Sequence, residues 1–175
     1  MEFKLSKSHE LFKQMIREFA ENEVKPIAAE VDEQERFPKE TIPKMRDLGI
    51  LGIPMPKEYG GAGGDILMYA MGVEELSRVC ATTGVIVSAH TSLGTWPILA
   101  FGTEEQKKKY LPGLCSGNLL GAFGLTEPNA GTDAAMQQSQ AVLDGDHYIL
   151  NGSKIFITNA SEADVFVVFA MTDKS

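Results

Sequence analysis

Apolar positions recur with a helical period through the first part of the chain and collect into short strand-like runs in the last part. Leu11, Phe12, Met15, Ile16 and Phe19 share one helical face, with Glu10, Lys13, Arg17, Glu18 and Glu21 on the other, a pattern that predicts an amphipathic helix. Pro38 is placed to open a second helix, Ile42, Met45 and Leu48 follow at helical spacing, and Gly49 supplies the stop. Pro43 makes that helix short or late-starting. Ile50–Pro56 is apolar but broken by prolines, and Tyr59–Gly64 is too rich in glycine for regular structure, so both are expected as loop. Asp65 is expected to cap a helix through Leu67, Met71, Val73 and Leu76, and Thr82 or Thr83 to open a buried central helix over Val85–Leu93. Thr103-Glu104-Glu105-Gln106 has the spacing of a capping box, with Lys107–Lys109 toward the negative helix end.

Past Asn118 the punctuation changes. Leu119–Leu125, Gln137–Leu143, His147–Thr158 and Val165–Met171 are runs rich in Val, Ile, Phe and Tyr, expected as strands. Asp144-Gly145 has hairpin-turn chemistry, and Asn151-Gly152 suggests a further turn or a bulge. The fold class expected is α+β: an all-α helical domain over residues 1–118, then the start of an antiparallel, barrel-like β domain over 119–175. Four strands without a cover for their second face make a marginal sheet, so the chain is expected to be an incomplete piece of a larger fold.

The 175 residues carry 24 acidic and 16 basic side chains, a formal charge of −8. Phosphate backbones and anionic membrane surfaces repel such a surface, so no nucleic-acid or membrane partner is expected. Cys80 and Cys115 form no metal-ligand pattern and are expected as reduced, structural residues; His9, His90 and His147 are scattered, so no metal site is expected. The opening Met1–Leu5 lacks a basic flank with an apolar run. A cytoplasmic protein is the expectation.

The stretch Phe123-Gly124-Leu125-Thr126-Glu127-Pro128-Asn129-Ala130-Gly131-Thr132-Asp133 is where a strand gives way to a polar, glycine-containing loop. Loops on strand ends commonly hold ligands, and Gly131 permits close backbone approach; an ordinary turn accounts for the same residues. The stretch resembles the signature of the acyl-CoA dehydrogenase family. Glu58–Gly63, Val73–Ser77, Phe101–Lys107 running on to Tyr110-Leu111-Pro112, and Leu150–Asn159 resemble other segments of that family in the same order, and the likeness is nearest to the bacterial short-chain, butyryl-CoA type. Met136 departs from the pattern, standing where the signature ends in a small residue.

The resemblance implies FAD as cofactor, acyl-CoA as substrate and an electron-transfer flavoprotein as acceptor, with the full-length parent a homotetramer. It places Phe123, Leu125 and Thr126 at the flavin's pyrimidine edge, Gly131 and Thr132 at the FAD pyrophosphate, and Thr132 beside the acyl-CoA thioester arm. Phe156 takes the place of an aromatic packed on the flavin, Ile157 follows it, and Thr158 lies near the flavin's N5 and O4. Phe156 has the alternative of ordinary strand core. The family's catalytic base has no counterpart here and is expected beyond Ser175; Glu127 is expected as a structural or solvated carboxylate. Val85, Val87, Ala89, Leu93 and Ile98 are candidates for the acyl pocket or for core, with Trp96 a candidate plug. Two other readings stay open: an acyl-CoA oxidase-like flavoprotein, and an inactive short form acting at most as a FAD/CoA-binding or interaction module.

Overall fold

A computed structural model describes residues 4–173, so the outermost ends of the two expected domains lie outside the described residues. Ser6 caps α1 (Lys7–Phe19), and Ile16 and Phe19 enter the core as the apolar stripe requires. The helix continues through a widened π turn, Ala20–Val24, into α2 (Lys25–Glu33). A second π turn, Ala89–Thr95, joins α5 (Ala81–Ser88) to α6 (Trp96–Phe101). Pro26 and Pro97 follow these turns directly; a proline lacks the N–H that the carbonyl four residues back would accept, and widening the ladder relieves that conflict. Pro112 sits inside α7 (Glu104–Ser116) without such a turn, so a proline permits the widening without dictating it.

The core joins α1, α3 (Thr41–Asp47), α4 (Ile66–Val79) and α5 around Ile16, Met45, Ile50, Leu51, Ile53, Leu76 and Val87. Each such side chain, fully buried, contributes about 2 kcal/mol. The expected loop Ile50–Pro56 opens with a short 3-10 turn, Ile50–Gly52, and Ile50, Leu51, Ile53 and Met55 are buried core residues. Their backbone is satisfied by the glycine-rich strip beside them: Ala62 N–H donates to Gly52 O, Gly63 N–H to Met55 O and Gly64 N–H to Ile53 O. A Cβ at Gly61 would lie 2.2 Å from Met55 O, so only glycine lets the two segments pair.

Asp65 and the Thr103/Gln106 capping box behave as expected. The central helix, however, opens at Ala81, and neither Thr82 nor Thr83 caps it. Cys80 alone separates it from α4, which leaves no residue for a side-chain cap. Ile86, Val87 and Ala89 are buried, whereas Val85 (48%) and Leu93 (41%) are exposed, so this helix is only half inside. The helical stretch Ala81–Phe101 is long and apolar enough to cross a membrane by length and composition; in the fold it carries the buried, hydrogen-bonded His90, Thr91 and Thr95.

Among the described residues four strands follow: β1 (Gly121–Gly124), β2 (Gln140–Asp144), β3 (His147–Asn151) and β4 (Val165–Val168). Among the named strands β2 and β3 pair antiparallel, as a hairpin whose turn is Gly145-Asp146, one residue on from the expected Asp144-Gly145, while β1 and β4 pair in parallel, Gly121 opposite Val165. The expected antiparallel arrangement therefore holds only for the hairpin. The 40 residues between β1 and β4 form a crossover long enough for parallel pairing. The third expected strand, His147–Thr158, stops at Asn151 because Gly152 (φ +154°) packs where a Cβ would meet Ser139 Oγ at 2.2 Å.

The seam between helices and strands is made by His90. Its Nδ1 accepts from Gly121 N–H (2.9 Å), and its Nε2–H donates to Leu114 O (3.1 Å). Burial holds the imidazole neutral, its pKa down at about 4. At the other end of the helical layer Glu75, 1% exposed, receives a two-pronged bond from Arg17 (3.0 and 2.7 Å) and one from Arg78 (3.3 Å), with Lys13 3.6 Å away. The Arg17 hydrogen bonds hold its carboxyl down at about 2 against the cost of burial.

Both shifts make the fold acid-sensitive. A depressed His90 contributes stability that is full above its unfolded value, about 6.5, and is lost as pH falls toward 4. Glu75 contributes stability that is full above its unfolded value of about 4.5 and is lost toward pH 2. Urea titrations are expected to show two acid steps. In Glu75→Gln the lower step should shrink, with a loss of about 2 kcal/mol at pH 7, the half-exposed Arg17 being free to rehydrate; an unchanged lower step would show that Glu75 is not its source.

Candidate functional site

Where β1 ends, the chain turns outward beside the irregular segment 152–159, and the π turn after α5 forms a third wall. The groove between them holds about 190 Å³ and is lined by Ala89, Leu93, Phe123, Leu125, Thr126, Phe156, Ile157 and Thr158. Six residues singled out from the sequence thus come together: Phe123, Leu125 and Thr126 from the strand end, and Phe156, Ile157 and Thr158 from the facing segment. Gly131 and Thr132 do not line the groove and stand exposed on the adjoining loop. A Cβ at Gly131 would meet nothing within 4 Å, which leaves open space there for a ligand. Of the acyl-pocket candidates, only Ala89 and Leu93 line the groove; Val87 belongs to the main core, and Ile98 packs on Met55, Leu111 and Cys115. A larger cleft of about 770 Å³ lies between the α6–α7 region and β4; it is lined by the acyl-pocket candidate Ile98 but by none of the residues expected at the flavin.

Phe156 is 89% exposed and has φ +58°. A strand-core role is therefore excluded: the side chain stands out of the fold from a left-handed backbone that an aromatic residue rarely adopts. The Phe123 ring is braced by Phe169, 5.3 Å between centroids. The hydroxyls of Thr126 and Thr158 have no side-chain hydrogen bond among the described residues, and no backbone acceptor pairs with the N–H groups of Leu125 or Thr126. The groove thus combines an aromatic face with uncommitted hydroxyls and amide donors, a set suited to a planar ring carrying polar edges. At 190 Å³ it encloses an edge of such a ring and not a whole cofactor.

The two sides of the groove are locked together behind the lining. Lys154 Nζ donates to Leu125 O (3.0 Å), Glu127 Oε1 (2.7 Å) and Gln137 Oε1 (3.3 Å), while Ile155 N–H donates to Thr126 O (2.9 Å). Glu127 is 6% exposed and also receives the N–H groups of Gln138 (2.6 Å) and Ser139 (3.0 Å). Its carboxyl is held down at about 2, first by Lys154 and then by these amides. A carboxylate with both oxygens engaged by three donors is a brace and a poor proton acceptor. Glu127 is structural, and it is buried instead of solvated.

Lys154 is the residue of this arrangement to which the sequence assigned no individual role, whereas the groove-lining Ala89 and Leu93 were among the acyl-pocket candidates. The available signal for Lys154 was a lone cation inside the Asn151–Asn159 run. Met136 lies in a short 3-10 turn, Ala134–Met136, and is 59% exposed, so its bulk faces mainly solvent.

The sequence model for "Acyl-CoA dehydrogenase, N-terminal domain" matches residues 6–118, and that for "Acyl-CoA dehydrogenase, middle domain" matches residues 122–175. A curated relative, "Acyl-CoA dehydrogenase, short-chain specific" from Clostridium acetobutylicum, is 65% identical over 175 residues, which is 100% of this chain and 46% of the relative. Butyryl-CoA dehydrogenase from Megasphaera elsdenii superposes with a TM-score of 0.94 at 47% identity, covering 99% of this chain and 46% of that one. A structure described as the electron transferring flavoprotein of Acidaminococcus fermentans, in the context of flavin-based electron bifurcation, contains a chain with a TM-score of 0.95 and 54% identity, covering 99% and 46%. The chain spans about half the length of these relatives.

The lock generates a test. In Lys154→Met, Glu127 keeps only backbone donors, and amide exchange at Ser139 and Ile155 should accelerate on the order of tenfold. Glu127→Gln in the same background should add little further acceleration, because the partner is already gone; strictly additive effects of the two substitutions would show that the pair does not act as a unit.

Proposed function

Because the chain belongs to the acyl-CoA dehydrogenase family, we propose that the groove is the flavin-facing part of an FAD-dependent dehydrogenase that desaturates short-chain acyl-CoA thioesters between the α and β carbons. The observation that carries this reading is the meeting of Phe123, Leu125 and Thr126 with Phe156, Ile157 and Thr158 around one groove. Members of the family bind FAD, and the residues present fit such a group: an exposed aromatic face, uncommitted amide and hydroxyl donors, and open space at Gly131. Bound FAD would supply a hydride acceptor at its N5 atom.

The chain's own residues bind and orient. The N–H groups of Leu125 and Thr126 donate to the polar edge of the ring, where negative charge accumulates on reduction. Phe156 covers the ring and excludes water, and Thr158 donates beside the reacting edge. Gly131 and Thr132 offer a backbone N–H and a hydroxyl to the pyrophosphate, and Thr132 adds a contact to the thioester arm. Ala89 and Leu93 give the groove an apolar wall suited to a short acyl chain. No carboxylate lines the groove among the described residues, and Glu127 is committed to Lys154. In this reading the catalytic base therefore comes from the part of the relatives' length that these 175 residues do not span. An electron-transfer flavoprotein is the proposed acceptor, supported by the solved neighbour described under that name, and the assembled enzyme is proposed to be a cytoplasmic homotetramer.

The test uses the complete gene product. Purified protein should carry a yellow flavin that butyryl-CoA bleaches in the absence of oxygen, and Phe156→Ala should weaken FAD binding roughly tenfold. Failure to take up flavin would refute the flavin reading. A flavin that butyryl-CoA leaves oxidised would refute the substrate, and rapid reoxidation by oxygen would favour an oxidase. Bleaching by the 175-residue chain alone would overturn the placement of the base outside it.

A further inference from the structure

Asn159 sits one residue past the groove lining and is almost fully buried, with φ +69°. Its Nδ2 donates to Ile86 O in α5 (3.2 Å) and to Gly121 O in β1 (3.1 Å). Those two carbonyls belong to the elements that carry the other walls: α5 leads into the turn bearing Ala89 and Leu93, and β1 leads to Phe123 and Leu125. One side-chain amide therefore ties together the three segments that lead into the walls of the groove. The segment it ends is short and held locally, with Ala160 N–H donating to Ile157 O (3.1 Å) and Glu162 N–H to Asn159 O (2.9 Å). Oδ1 is buried without a partner. An unpaired buried acceptor is costly, so the two amide donations stand against that cost. Asparagine also tolerates the left-handed backbone better than other residues with a Cβ.

We infer that Asn159 is a positioning residue for the groove, its amide nitrogen fixing the Phe156–Thr158 segment against α5 and β1 and so setting where Phe156 and Thr158 meet the flavin. The flavin part of this inference rests on the function proposed above; the clamp itself does not. Phe156 has no packing of its own to hold it, being exposed on a left-handed backbone. Its placement is fixed from its neighbours: Ile155 through Thr126 O, and Asn159 through the two carbonyls.

The test compares wild type, Asn159→Gly and Asn159→Asp in the complete gene product. Glycine keeps the left-handed backbone and loses the donors; aspartate keeps the size and sets an oxygen against two carbonyls. Without any ligand, amide exchange at Ile155, Ala160 and Glu162 is expected to accelerate roughly tenfold in both variants, while the core around Ile50–Ile53 is unchanged. With FAD added, both variants should bind it roughly tenfold more weakly and give a reduced visible circular dichroism of the bound flavin. Glu75→Gln serves as the control: it destabilises the fold from α1 and α4 and should leave that flavin signal as in wild type.

Unchanged exchange at those amides in both variants overturns the clamp. Accelerated exchange with wild-type FAD affinity and dichroism overturns the positioning of Phe156 and Thr158. If wild type itself takes up no FAD, the function proposed above falls with the flavin half of this inference, and the exchange result alone decides the clamp.

Discussion

Everything in this fold that faces the groove depends on satisfying backbone polar groups at a buried seam between helices and strands. β1 begins directly against the π turn, so closely that a Cβ on Gly94 would come within 2.8 Å of Gly121. Water has no room there, and a strand start pressed on a helix leaves donors and acceptors that neither element's own ladder can take. His90 answers the donor of Gly121 and the carbonyl of Leu114, and Asn159 answers the carbonyl of Gly121. Residues from helix and loop thus complete the hydrogen bonding of one glycine, which is how the strand layer acquires a fixed position on the helical layer.

From that fixed strand the site follows. β1 is only four residues long, and its end releases Leu125 and Thr126 with their N–H groups uncommitted. The carbonyls of the same two residues are taken by Lys154 and Ile155, so each peptide is held on its acceptor side and left open on its donor side. Protein contacts thereby orient dipoles that a ligand with a negative edge can use without reorganising them. Glu127 serves this arrangement as the counterion that keeps Lys154 in place, and its low pKa records how fully it is engaged.

Much of the helical part was legible because its signals are local. Asp65, the Thr103–Gln106 box and Gly49, with its φ of +68°, each act on neighbours within a turn or two. The hairpin was legible for the same reason. What escaped was non-local. Parallel pairing of β1 with β4 is decided by where the crossover returns, and nothing in either strand's own sequence states it. Residues Ile50–Met55 look like a loop locally and carry no more than a 3-10 turn, but their burial depends on glycines some ten residues onward. The groove residues were gathered through a resemblance covering the whole chain. Composition and spacing alone left the loop after β1 indistinguishable from an ordinary turn, because the partner wall lies about 30 residues away in sequence.

Phe156 shows why that wall cannot be a strand. A strand would alternate its side chains and turn a regular edge toward β1, burying an aromatic at one position and pairing the backbone throughout. Ending the ladder at Gly152 and reversing φ at Phe156 and Asn159 instead projects one ring outward while returning the chain to the seam within four residues. Left-handed backbone at a non-glycine residue costs about 1 kcal/mol or more, and Phe156 offsets none of it through burial. The segment holds this shape because its two ends are anchored, at Lys154 and Ile155 on one side and at Asn159 on the other. The exposed ring is thus the product of contacts made elsewhere, a geometry that is unfavourable for the free protein and sensible for a surface shaped to receive a planar ligand.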